Sequence, residues 1–264
     1  MILKSPLGAT QIRRLRLPLL RSKTRKLTGT ERRMNALNLH KFDLMETFAK
    51  PGCPVCLLLK RCDVRTLDSL LYESVNDVFV RERIRRSLGF CNYHSGVLEK
   101  IPKTTSPDLL SVGGAALGIA IIYLDLVETL AEQLKSSPIV SSIRRSLTDS
   151  KAICPLCVGR EELETAYLRT VLLNIHDPDF REKYSASDGL CARHMQKAFR
   201  LRELSHDKEE LASIEGAHLG LLAKDLREFV RKHDYRFSSE GFGKEADSWR
   251  RALRKISGEL SAMY

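Results

Sequence analysis

Two sets of metal-type side chains recur along the chain. Cys53-Pro54-Val55-Cys56 is followed by Gly89-Phe90-Cys91-Asn92-Tyr93-His94, and Cys154-Pro155-Leu156-Cys157 is followed by Gly189-Leu190-Cys191-Ala192-Arg193-His194. A Cys-x-x-Cys pair turns two thiolates toward one ion, and a Cys-x-x-His in the first turn of a helix puts positions i and i+3 on one face. Two such pairs supply the four ligands of a tetrahedral structural zinc site. Soft thiolates with one imidazole suit zinc better than magnesium or calcium. The expectation is two zinc ions per chain, one held by Cys53, Cys56, Cys91 and His94, the other by Cys154, Cys157, Cys191 and His194. Each stretch holds a complete set, so each site is expected to form within its own stretch.

Other chemistries fit less well. Covalent haem needs a histidine directly after Cys-x-x-Cys, where Leu57 and Val158 stand. A redox dithiol of the thioredoxin kind should follow a strand in a βαβ pattern, and no such pattern is visible. An iron–sulfur cluster usually takes four cysteines rather than three and a histidine. Four filled ligand positions leave no place for a reacting water. The chain has no phosphate-binding loop, dinucleotide fingerprint, nucleophile elbow or His-Glu-x-x-His motif. A non-enzymatic zinc protein is therefore expected, with a structural metal and a helical surface that binds a macromolecule of unknown identity. The alternatives are a metal- or redox-responsive regulator, an iron–sulfur protein, or an enzyme whose site the sequence does not display.

The two stretches align over most of their length. The Cys-Pro-x-Cys motifs are 101 residues apart and the Cys-x-x-His motifs 100 apart. Asp77/Asp177, Arg81/Arg181, Glu82/Glu182, Ser87/Ser187 and Gly89/Gly189 coincide, and Gly114-Ala115-x-Leu117-Gly118 matches Gly216-Ala217-x-Leu219-Gly220. A period this long indicates tandem duplication of a small domain. The chain then reads as a repeat over 34–145, a second over 146–264 that includes a terminal amphipathic helix, and one fused domain made from both.

Helical periodicity runs through both repeats: Val64, Leu67, Leu71 and Val75 in one, Leu163, Tyr167, Val171 and Ile175 in the other. Trp249, Leu253, Ile256 and Leu260 mark the last helix, and no period-2 strand is evident, so the fold class is an all-α, internally duplicated bundle. Asp177 before Pro178 reads as an N-cap. Asp77 and Asp177 are assigned to helix capping or to support of a ligand histidine. Cys62 aligns with Leu163 and is assigned to the core. Segments 102–108 and 136–150 read as loops. Glycines four apart at Gly114/Gly118 and Gly216/Gly220 lie on one face of their helices. They predict that helices 109–134 and 211–232 cross closely there, as small-xxx-small pairs do.

The net charge of +11 is concentrated in residues 1–33, which carry ten basic side chains and one acidic; the other 231 residues carry only +2. That tail reads as a polyanion-binding arm, a targeting segment, or translation from a start upstream of Met34. Nucleic acid is a candidate partner through residues 1–33 or through Arg250, Arg251, Arg254 and Lys255. Leu109–Leu124 is free of charge but, at 16 residues, shorter than the roughly 18–20 that a membrane span needs, so it is expected to be a core helix. Without a secretory signal, seven cysteines are expected in a reducing, cytoplasmic setting.

The duplicated Cys-Pro-x-Cys and Gly-x-Cys-x-x-His pairs, with Glu73-Ser74-Val75-Asn76-Asp77, resemble an uncharacterised prokaryotic family of unknown function regarded as metal-binding. The resemblance spans about 40–260 and leaves out the basic tail. It implies a cytoplasmic protein whose ligands are the eight cysteines and histidines above, and it implies no activity.

Overall fold

The computed structural model describes residues 29–104, 109–136, 153–202, 205–237 and 239–258. All regular structure among them is helical. The first half contributes α1 (Gly29–Thr47), α2 (Pro54–Glu73), α3 (Val78–Arg86), α4 (Asn92–Thr104) and α5 (Leu109–Ser136). The second contributes α6 (Pro155–Asn174), α7 (Pro178–Ser185), α8 (Ala192–Arg200), α9 (Ser205–Lys232), a 3-10 turn (Tyr235–Phe237) and α10 (Ser248–Ser257). The order α2–α5 is repeated by α6–α9. Its first members are each 20 residues long and its last members each 28.

Local chemistry sets the helix starts. Pro54 and Pro155 occupy first-turn positions, where a missing N–H costs nothing. Asp77 accepts the Val80 amide at 2.9 Å and Asp177 the Phe180 amide at 3.0 Å, so both are N-caps. Asp177 also pairs with Lys41 at 3.0 Å. Gly89 (φ +94°) and Gly189 (φ +64°) take left-handed conformations just before the Cys-x-x-His pairs. The predicted loop at 102–108 begins later than expected, because α4 runs on to Thr104. The rest of that loop, most of 136–150, residues 1–28 and Leu260 lie outside the described residues.

Helices α2 and α6 pack on each other at the centre of the molecule. The start of α2 (Cys53, Val55, Leu58) shares a core with the end of α6 (Val171, Leu172, Ile175) and with α1, α7 and α9. The end of α2 (Leu67, Leu71) shares a second core with α3, α4, α5 and Cys154 at the start of α6. The two helices therefore run antiparallel, and each core draws on both halves. Leu109–Leu124 lies within α5, whose Ala115 and Ile122 are buried, and no described helix is long and apolar enough to cross a membrane.

The predicted crossing of α5 and α9 at their glycines is not what the fold contains. A Cβ at Gly118 would meet Leu71 of α2 and Val75 just beyond its end, the nearest atom 3.1 Å away, so this glycine admits side chains of its own half. A Cβ at Gly216 or Gly220 would meet nothing within 4 Å. Gly114 lies outside the residues whose surroundings are described. Identical spacing thus serves a close contact in one helix and an open face in the other.

The second half has a buried polar network centred on Glu215, at the position where the first half has Gly113. The Glu215 carboxylate accepts the Tyr184 hydroxyl, the Leu190 amide (2.7 Å) and the Lys255 ammonium (2.6 Å). Burial pushes the Glu215 carboxyl up, but His218 and Lys255 outweigh it and hold the group below its usual value. Its contribution to stability is therefore present above about pH 4.3, the ordinary glutamate value, and lost as pH falls through the lower folded value. Glu215→Ala should cost about 3–5 kcal/mol, because it strands Lys255 as an unpaired buried cation. Urea titration at pH 7 measures this, and the variant's stability should depend less on pH below 4.3 than the parent's. By contrast, Gly220→Ala should stabilise the protein by about 0.5–1 kcal/mol, since helix propensity improves and nothing obstructs the added methyl.

Candidate metal centres

The leading cysteine of each motif stands just before a helix: Cys53 and Cys154 are the N-caps of α2 and α6, Cys191 is the N-cap of α8, and Cys91 precedes α4. Their carbonyls accept the first backbone bonds of those helices (Leu57, Cys157, Met195 and Ser95 amides). No side-chain cap bond forms at Cys53, Cys154 or Cys191. The second member of each pair, Cys56, Cys157, His94 or His194, lies three residues on, in the first turn. Each pair therefore projects from a helix N-terminus, where the helix dipole favours thiolate.

Two clusters result. Centre A joins Cys53 and Cys56 of α2 to Cys191 and His194 of α8, and centre B joins Cys154 and Cys157 of α6 to Cys91 and His94 of α4. In each, the candidate ligand atoms lie within 4.8 Å of one another, and each could hold a metal ion. All eight predicted side chains are brought together, but not in the predicted sets. Neither half completes a site alone, because antiparallel packing of α2 and α6 carries each Cys-x-x-Cys pair into the other half's core.

The edges of the clusters fit a tetrahedron. In centre A, His194 Nδ1 lies 3.2 Å from Cys53 Sγ, 3.4 Å from Cys56 Sγ and 3.2 Å from Cys191 Sγ, with Cys56 and Cys191 sulfurs 3.8 Å apart. In centre B, His94 Nδ1 lies 3.2, 3.6 and 3.5 Å from the sulfurs of Cys91, Cys154 and Cys157, and the Cys91 and Cys157 sulfurs are 3.6 Å apart. Bonds of about 2.0–2.3 Å around zinc imply edges of about 3.5–3.8 Å. All seven cysteines are free thiols, and the sulfur separations far exceed the roughly 2.05 Å of a disulfide. Cys62 belongs to neither cluster and sits 4.0 Å from the Tyr167 hydroxyl.

Each histidine presents Nδ1 to the cluster and Nε2 to a carboxylate. His194 Nε2 is 2.9 Å from Glu164, which also holds Lys197 at 2.6 Å. His94 Nε2 is 3.4 Å from Asp63, which also accepts the Tyr93 hydroxyl at 2.9 Å and is paired with Arg160. Such partners orient a ligand imidazole and fix its tautomer. Burial opposes charge on both imidazoles, but hydrogen bonds to Cys191, Cys56 and Glu164 hold His194 up to about 11, and bonds to Asp63 and Cys91 hold His94 up to about 9. Hydrogen bonds from Cys53 and Cys56 drive the Cys191 thiol far down.

Asp77 and Asp177 do not bond the histidines; both are caps, and Asp177 also pairs with Lys41. The outer carboxylates, Asp63 and Glu164, were not singled out from sequence. The signal was present: they stand 101 residues apart, as the Cys-Pro-x-Cys motifs do, and each follows the second cysteine of its motif by seven residues. Gly258 was also missed. It ends α10 at φ +85°, and a Cβ there would lie 3.3 Å from Cys56 Sγ and 3.4 Å from Cys191 Sγ, so bare backbone covers centre A.

Glu164→Ala should weaken metal binding at centre A by about 10–100-fold in a chelator competition, as loss of an outer-shell carboxylate does. Asp77→Ala should leave metal binding unchanged and cost about 1 kcal/mol of stability through the lost cap.

No solved structure matches the chain. An uncharacterised 23.9 kDa protein encoded in the xynA 3′ region of Caldicellulosiruptor sp. (strain Rt8B.4) is 27% identical over 217 residues, covering 81% of this chain and 99% of the relative. Residues 36–263 match DUF6062, described as a family of unknown function, and the chain belongs to that family.

Proposed function

We propose that the protein binds two zinc ions, one in each centre, and that the ions are structural ties between the halves of a non-enzymatic, cytoplasmic scaffold. The observation that carries this is the pair of Cys3His tetrads, each assembled from both halves. Three thiolates and one imidazole are a zinc set, and a fourth protein ligand leaves no position for a reacting water. A tie that spans two cores contributes its binding free energy directly to folding.

A surface of α10 supports a macromolecular partner. Trp249, Leu253 and Ile256 share one helix face, as predicted, but that face points outward and all three are exposed. The inner face is polar instead, with Ser248 and Lys255 buried. The basic cluster at 250–255 is split by the same geometry. Arg251 is bonded to Asp247 and Asp225, and Lys255 to Glu215, while Arg250 stacks on Trp249. What α10 offers a partner is an apolar stripe edged by Arg250 and Arg254 rather than a uniform basic patch.

Elemental analysis of purified protein should find two zinc ions per chain and no visible absorption bands; iron with charge-transfer bands would replace this reading by an iron–sulfur one. Chelation of both ions should lower helicity and abolish cooperative melting. Cys91→Ser should reduce zinc to about one per chain and destabilise the fold, because centre B joins α4 to α6. Circular dichroism and melting that are unchanged after full chelation would show that the centres are not structural.

A further inference from the structure

The two centres differ in what reaches their sulfurs. In centre A, Cys53, Cys191 and His194 are buried, at 3%, 1% and 5% exposure. A cavity lined by Gly52, Cys53, Asp188, Gly189, Cys191 and Lys255 adjoins this centre, and Cys56 is half-buried, but the Gly258 backbone lies against the sulfurs of Cys56 and Cys191. The end of α10 is anchored there by Lys255, which bonds Glu215 and the Asp188 carbonyl (2.7 Å). In centre B, His94 and Cys154 are buried, while Cys91 and Cys157 are both half-buried, with sulfurs 3.6 Å apart. The two sulfurs come from opposite halves, one from the start of α4 and one from the first turn of α6.

We propose that Cys91 and Cys157 form an oxidation site, where a peroxide joins them in a disulfide and expels the metal of centre B while centre A keeps its own. The proposal rests on the metal reading above. One thiolate attacks the peroxide, the O–O bond breaks, and a sulfenic acid and hydroxide result. The second thiolate attacks that sulfur, the S–S bond forms and the second oxygen leaves as hydroxide. Two electrons pass from the two sulfurs to the peroxide, and two protons from solvent convert the hydroxides to water. Contraction from 3.6 Å to a disulfide is a movement of about 1.6 Å. Centre B is left with Cys154 and His94, too few ligands to retain zinc, and a covalent link between the halves stands where the ionic one stood. Centre A has a comparable pair in Cys56 and Cys191, 3.8 Å apart, but Cys191 is buried and the Gly258 backbone lies against both sulfurs.

The test uses zinc-loaded full-length protein titrated with hydrogen peroxide, with a chromogenic chelator to count released zinc and alkylation followed by peptide mapping to locate disulfides. One equivalent of zinc should leave first, together with a Cys91–Cys157 disulfide, and the second at least tenfold more slowly; dithiothreitol with added zinc should restore the first site. Gly258→Ala, which crowds the cover over centre A, should speed loss of the second zinc several-fold and leave the first unchanged. A protein that takes up no zinc overturns the metal reading and this inference with it. A two-zinc protein that loses both ions together, or that first forms Cys154–Cys157 or Cys56–Cys191, overturns this inference alone.

Discussion

Each Cys-x-x-Cys pair sits in the first turn of a helix that runs antiparallel to its counterpart, and that packing relation decides which thiolates can meet which histidine. The start of α2 lies beside the end of α6, in the core where α8 begins; the start of α6 lies beside the end of α2, in the core where α4 begins. A tetrad therefore closes only across the halves. The two hydrophobic cores obey the same relation, since each is lined by the front of one long helix and the back of the other. Separating the halves would expose both cores and break both tetrads at once, so burial and assembly of the tetrads are coupled.

Charge makes the same arrangement favourable. A zinc ion with three thiolates and a neutral imidazole carries a net charge of −1, and centre A is largely removed from water. A buried charge is costly unless something opposes it. Each centre is made where two helix N-termini meet, α2 with α8 in one and α6 with α4 in the other. A helix N-terminus carries about +0.5 of a charge, so two supply roughly the +1 required. The carboxylates on the outer nitrogens, Glu164 and Asp63, are themselves offset by Lys197 and Arg160. With zinc bound as proposed, the anionic cluster and its supporting shell would thus be balanced by groups that the fold supplies in fixed positions.

The eight clustered cysteines and histidines, the helical class and the parallel order of elements were legible because they depend on local spacing. Cys-x-x-Cys and Cys-x-x-His need only one helical turn to act as units, and Asp77 and Asp177 announce helix starts by their own backbone chemistry. The pairing of those units was not legible. Sequence shows that each half holds four donors, but the direction in which α2 meets α6 depends on long-range packing that no motif encodes. The glycines of α5 and α9 show the same limit. Their spacing states that a face lacks side chains, yet Gly118 admits Leu71 and Val75 while Gly216 and Gly220 face open space. Trp249, Leu253 and Ile256 mark an amphipathic helix correctly, but periodicity does not say which face turns inward, and here Lys255 does.

Why Lys255 turns inward follows from three positions where the halves diverge. Tyr184, Glu215 and His218 stand where the first half has Ile84, Gly113 and Ala116. In the first half the turn before the ligand cysteine is held locally: the Gly89 amide donates to the Ile84 carbonyl, and the Ser87 hydroxyl donates to the Gly89 carbonyl. In the second half, Glu215 reaches over and accepts the Leu190 amide, one residue before Cys191, and a Cβ at Gly189 would collide with it. A carboxylate buried that deeply needs a cation, and Lys255 provides it while also bonding the Asp188 carbonyl in the same turn. The buried ion pair therefore does two things. It fixes the turn that positions Cys191, and it recruits α10, which has no counterpart after α5 among the described residues. Once Lys255 is seated, the end of α10 falls on the cluster, and Gly258 is the residue that fits there, having both the left-handed φ and no Cβ to strike the two sulfurs.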